Sequence, residues 1–210
     1  MKTTPRSLTA LPALLSMLLG VAGCAGPPPP QPRPPSRDVA LERMVVVEFH
    51  DRTRYSSHDY AADLTRALAE KLTDWTSATD VVVVSRQDIG AGTDPFVSGR
   101  MPLDVLVRAR NDYLADAVVI GTLSEMDPYR PVSATVGLKI VETGDGRVLF
   151  SVAERWDAAE HGVRQRIKAY YRRNSDAPDC RFGPDIFLNS PRYFLRFVAD
   201  QVAYRASREL

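Results

Sequence analysis

Residues 116–154 read DAVVIGTLSEMDPYRPVSATVGLKIVETGDGRVLFSVAE, and their pattern decides the fold class. Residues 116–124 form a short run dense in Val and Ile, the mark of a strand covered on both faces. Residues 132–142 alternate instead. Val132, Ala134, Val136, Leu138 and Ile140 share one face, with Ser133, Thr135 and Lys139 on the other, as expected for an antiparallel strand with one covered face. Residues 147–154 supply a further strand. The link Thr143-Gly144-Asp145-Gly146 carries the Asp-Gly pair that marks a hairpin. Gly121 permits a close backbone approach or a bend within its strand.

Upstream, the period changes to βαβαβ. Residues 44–49 (MVVVEF) and 80–85 (DVVVVS) read as buried strands, with a polar loop from His50 and Asp51 onward. Between them, Tyr60, Leu64, Ala67, Leu68 and Leu72 recur at helical spacing over 60–73, and Ser57 or His58-Asp59 is placed to cap that helix. After a Gly-containing loop at 86–100, Pro102 opens a second helix running to Ala115. It is expected to bury Leu103, Leu106, Val107, the stem of Arg110, Tyr113 and Leu114. Downstream, residues 158–173 read as a helix, 174–190 as a long irregular loop, and 191–208 as a helix able to cover the sheet. The fold class is therefore α/β (α+β): a mixed sheet of about five strands with packed helices.

The amino-terminal segment reads as an address. Lys2 and Arg6 precede an apolar stretch of about 14 residues at 8–21, too short for a span of roughly 20. Val21-Ala22-Gly23-Cys24 then resembles the bacterial lipobox. That resemblance implies cleavage before Cys24 and acylation of its thiol, and with Ala25 rather than Asp next, transfer to the outer membrane with the chain facing the periplasm. Two or three acyl chains anchor firmly, since each buried methylene contributes ~0.8 kcal/mol. Residues 27–35 (PPPPQPRPP) cannot form a helix or a ladder. As polyproline II they span about 28 Å at ~3.1 Å per residue. The organisation is thus a lipoprotein signal at 1–23, a lipidated Cys and tether at 24–37, and one extracytoplasmic domain at 38–210.

With 27 Lys+Arg against 26 Asp+Glu, the net charge of +1 offers no global drive toward nucleic acid. With Cys24 taken by lipid, Cys180 is left as a free thiol, a partner for an intermolecular disulfide, or a buried inert side chain.

The strand start Phe49-x-Asp51-x-Thr53, the strand Ala115-Asp116-x-x-x-x-Gly121 and the hairpin Thr143-Gly144-x-Gly146 together resemble the extracytoplasmic domain of a group of small bacterial lipoproteins. That group includes LpoB, PelC and the soluble part of the curli secretion channel CsgG; the TolB amino-terminal domain shares the fold. The resemblance covers about residues 43–155. It implies a non-enzymatic accessory of cell-wall synthesis or of a secretion complex, binding an envelope protein or polymer and able to form a homo-oligomer. No long amphipathic hairpins are present to support a transmembrane pore.

Chemistry-bearing residues are few. His50, Asp51 and His58 flank one loop and are the only setting for an envelope hydrolase or metal-dependent enzyme, the alternative reading; loop histidines otherwise serve as solvated or capping residues. No phosphate-loop or dinucleotide fingerprint occurs, and no cofactor or metal beyond the Cys24 lipid is expected. The run Arg164, Arg166, Lys168, Tyr170, Tyr171, Arg172 and Arg173 is basic with interleaved aromatics. It is a candidate surface for an anionic polymer, lipid headgroups or an acidic partner, or else a solvated helix face with a tyrosine turned inward.

Overall fold

The computed structural model describes residues 41–53, 58–91, 101–175 and 180–210. The chain divides into two units, Met1–Arg37 and Asp38–Leu210. The elements of the second unit are β1 (Arg43–Val47), β2 (His50–Asp51), α1 (Tyr60–Trp75), β3 (Asp80–Val84), α2 (Leu103–Asp112), β4 (Ala117–Asp127), β5 (Ser133–Glu142), β6 (Val148–Asp157), α3 (His161–Arg173), α4 (Ile186–Asn189) and α5 (Pro191–Ala206).

Five strands lie in the order β3-β1-β4-β5-β6, and the two-residue β2 also pairs with β4. β1 runs parallel to β3 and β4, whereas β4–β5 and β5–β6 are antiparallel. The mixed sheet of the βαβαβ-plus-meander pattern is therefore present. Being central, β1 is buried on both sides: Met44 and Val46 enter one core, Val45 and Val47 the other. The first core is the larger, filled by α1, α3, α4 and α5; the second is closed by Val105, Leu106 and Ala109 of α2.

Two irregularities shape the carboxyl end of the central strands. β1 stops at Val47 because the amide of Phe49 leaves the sheet and donates to Thr65 Oγ1 of α1 (3.0 Å); that hydroxyl in turn donates to the Ala61 carbonyl (2.7 Å). The expected polar loop at His50-Asp51 instead rejoins the sheet as β2, beside Thr122 and Leu123. In β4 the register skips Ser124 between Leu123 and Glu125. That extra residue reverses the alternation, so Met126 rejoins the face of Leu123.

Other expectations need correction. Residues 80–84 were expected to be buried, yet they form an edge strand whose Val81, Val82 and Val83 are half-buried or exposed, because an edge has cover from one neighbour only. α2 buries Val105, Leu106 and Ala109, while Leu103 is 73%, Val107 47% and Leu114 69% exposed. The apolar residues of α2 spread over more than half of its circumference, so spacing alone could not choose the covered face. α2 also ends at Asp112, and Leu114 takes φ 54°. The Ala115 amide then reaches back to the Ala109 carbonyl (3.0 Å), a closure usually built on glycine. Within 174–190, the short helix α4 seats Phe187 in the larger core.

Candidate functional site

α1 lies on one face of the sheet and α2 on the other, so the chain leaves the carboxyl ends of β1 and β3 in opposite directions. Such a divergence opens a crevice, the usual place for ligands in open α/β sheets. Here a crevice of about 300 Å³ is lined by Glu48, Phe49, Asp51, His58, Asp59, Ala62 and Arg86. A second cavity borders His50, Arg86, Gln87, Gly90 and Ala91.

Of the residues of the alternative enzymatic reading, Asp51 and His58 line the crevice and His50 borders the second cavity. His58 Nε2 lies 2.7 Å from Asp63 Oδ2, and its ring meets Tyr60 edge-on. Asp59 caps α1 by accepting the Ala62 amide (2.8 Å), and Asp51 accepts the Thr53 amide (2.7 Å). Among the described residues no three His, Cys, Asp or Glu side chains are grouped to hold a metal ion. What the crevice offers is a polar wall of carboxylates beside Arg86, with no nucleophile–base pair among the described residues. Ser57 lies outside them.

The strand motifs carry structural work that their spacing did not disclose. The Phe49 ring sits on Gly121, where an added Cβ would stand 2.2 Å from Cζ. Asp116 Oδ2 accepts the amides of Glu42 and Arg43 (2.9 Å each), pinning the start of β1 to the start of β4. In the hairpin, Gly146 takes φ 74° and Asp145 accepts the Arg147 amide (2.9 Å), which accounts for both residues.

The basic run lies on α3 and divides in two. Val163, Ile167 and Tyr170 face the core, with Tyr170 meeting Phe187 and Phe197 edge-on; Tyr171 packs half-buried against the same core. Tyr170 is thus removed from any binding surface. Arg166 lies over the Trp156 ring at 4.4 Å and 3.6 Å from Glu154, which also binds Arg205. Arg173 donates to the buried Asp200 (2.8 Å), whose other oxygen accepts the Trp75 indole N–H (2.9 Å). Arg164, Lys168 and Arg172 remain exposed and form no ion pair with any described carboxylate. Arg164 donates to the Ala159 carbonyl and Arg172 to that of Lys168. At four-residue spacing they make one row along the helix.

Cys180 is free and buried at 2% exposure. Its burial favours the inert reading over an intermolecular disulfide. Cys24, the lipobox and the proline run lie outside the described residues.

No family model and no curated protein matches the chain. Solved structures do. The PelC dodecamer from Paraburkholderia phytofirmans matches at TM-score 0.45 and 14% identity, over 80% of this chain and 86% of that one. The hypothetical protein CT253 from Chlamydia trachomatis matches at TM-score 0.49 and 13% identity, over 81% and 98%. The LpoB C-terminal domain from Salmonella enterica matches at TM-score 0.38 and 17% identity, over 57% and 86%. The chain is similar to PelC and LpoB in fold. At these values the likeness concerns the fold alone, and no residue role passes from those proteins to this one.

Proposed function

We propose that this chain is a lipid-anchored, non-enzymatic accessory of the bacterial cell envelope that works by presenting an α/β domain to another envelope component. The observation that carries the reading is the succession within the first 37 residues: charged start, short apolar core, Val21-Ala22-Gly23-Cys24, then seven prolines in residues 27–35. A lipidated Cys24 followed by a stiff spacer suits a domain that must reach something beyond the membrane surface. The domain's own architecture agrees with a presenting role. Around the crevice, Asp51, His58 and Asp59 are spent on a turn, an ion pair and a cap, and α3 turns Arg164, Lys168 and Arg172 outward, unpaired with any described carboxylate. The outer membrane, with the domain facing the periplasm, is the proposed site.

In vivo crosslinking of the lipidated protein, followed by pull-down, tests the reading. The expected result is capture of an envelope protein or polymer that is lost when Cys24 is replaced by Ser. Two forms of the role separate by oligomeric state. A subunit of a ring, as in the PelC dodecamer, sediments as a large assembly without its anchor, whereas an activator sediments as a monomer and co-purifies with a synthase. A purified chain that turns over an envelope substrate unaided would overturn the non-enzymatic part.

A further inference from the structure

We propose that the exposed face of α3 is a docking strip for a linear acidic polysaccharide. This deepens the reading of the domain as a binding module and rests on it. α3 carries five cations and no acidic residue. Arg166 and Arg173 are consumed by Glu154 and Asp200, leaving Arg164, Lys168 and Arg172 as a row. At 1.5 Å per residue, neighbours in the row stand about 6 Å apart and the row spans about 12 Å. That spacing is below the roughly 8 Å screening length of physiological salt, so the three act as one line of positive charge.

Helix stability does not account for the row. Arg172 in the last turn complements the helix dipole, but Arg164 sits near the opposite, positive end, where the first helical turn holds no acidic residue and the N-cap Glu160 is the one carboxylate at that end of the helix. The chemistry of the occupant follows from what else the face holds. Beside the cations, His161 and Gln165 are exposed and within hydrogen-bond distance of each other (3.3 Å). They offer hydrogen-bonding groups suited to sugar hydroxyls, while the cations suit carboxylates repeated along a chain. The apolar residues Val163, Ile167 and Tyr170 are spent in the core. With no large apolar side chain exposed on α3, it has nothing to insert below lipid headgroups, unlike an interfacial helix. A single file of charge likewise matches a linear polymer better than a planar leaflet.

The test uses the unlipidated chain from residue 25, since both cores lie wholly within residues 41–206. Binding to polygalacturonate is measured by calorimetry against neutral dextran, polyphosphate and vesicles containing phosphatidylglycerol. The Arg164→Gln/Lys168→Gln/Arg172→Gln variant is compared with a control of equal charge, Arg108→Gln/Arg110→Gln/Arg208→Gln. Thermal melts confirm that both fold. The expected result is salt-sensitive binding to polygalacturonate, weakened roughly tenfold or more by the first variant and less than about twofold by the control. Equal losses in the two variants, or binding no stronger than to dextran, would overturn the proposal. So would tighter binding to polyphosphate, or binding to vesicles alone. Because neither lipid nor cells enter this experiment, its failure leaves the anchoring and presentation reading to its own test.

Discussion

The two crossover helices, α1 and α2, sit on opposite faces of the same parallel strands, yet they are held very differently. α1 buries seven residues, from Ala61 to Leu72, and packs against α5 in the same core, where Trp75 and Asp200 join the helices. Its amino terminus is capped by Asp59. α2 buries only Val105, Leu106 and Ala109, has no side-chain cap, and nothing among the described residues covers Leu103 or Leu114. One face of the sheet therefore carries a deep layer and the other a shallow one. Depth decides what an apolar residue is worth, and substitutions at equivalent-looking positions should separate accordingly.

The largest effect is expected at Leu72, fully buried between α1 and the sheet. Leu72→Ala should destabilise by about 3–4 kcal/mol, read by denaturant unfolding. A cost below about 1 kcal/mol would show the deep layer to be loosely packed. Gly121→Ala follows at about 3 kcal/mol, because the new methyl group meets the Phe49 ring. Pairing it with Phe49→Ala should cost less than the sum of the single changes, and strict additivity would remove the proposed contact.

Asp200→Ala leaves Arg173 and the Trp75 indole without their acceptor, for about 2 kcal/mol. Asp200→Asn should recover part of this by keeping an acceptor for the indole. On the shallow face, Leu103→Ala should change stability by less than about 0.5 kcal/mol. Leu114→Gly should raise it by about 0.5–1 kcal/mol, since glycine adopts φ 54° without strain and the lost side chain was exposed. A destabilising Leu114→Gly would mean that this leucine is covered after all.

The same contrast explains what was legible in the sequence. β1, β4 and β5 were readable because a strand's period of two is unambiguous when one face is buried, and a doubly buried strand is apolar throughout. α1 was readable because its polar residues mark the outer face. α2 was not, since Leu103, Val105, Leu106 and Val107 spread over more than half of the helix circumference, wider than the covered face, and only the thin cover on that side of the sheet selects among them.

The candidate sites were legible to a similar degree. The basic run announced itself by composition, but its division could not be read from α3 alone. The partners of Arg166 and Arg173 lie on β6 and α5, 12 and 27 residues away. The roles of Phe49, Asp116 and Thr65 likewise depend on residues brought together from across the chain. The crevice beside Arg86 follows from strand order, which no local pattern states.

Presentation from a membrane depends on the anchor, and metabolic labelling with a palmitate analogue tests it most directly. Strong labelling of the wild-type protein expressed in a bacterial host is expected, and none in Cys24→Ser. An unlabelled wild-type protein, or label that persists when Cys24 is gone, would contradict a lipid anchor at this residue.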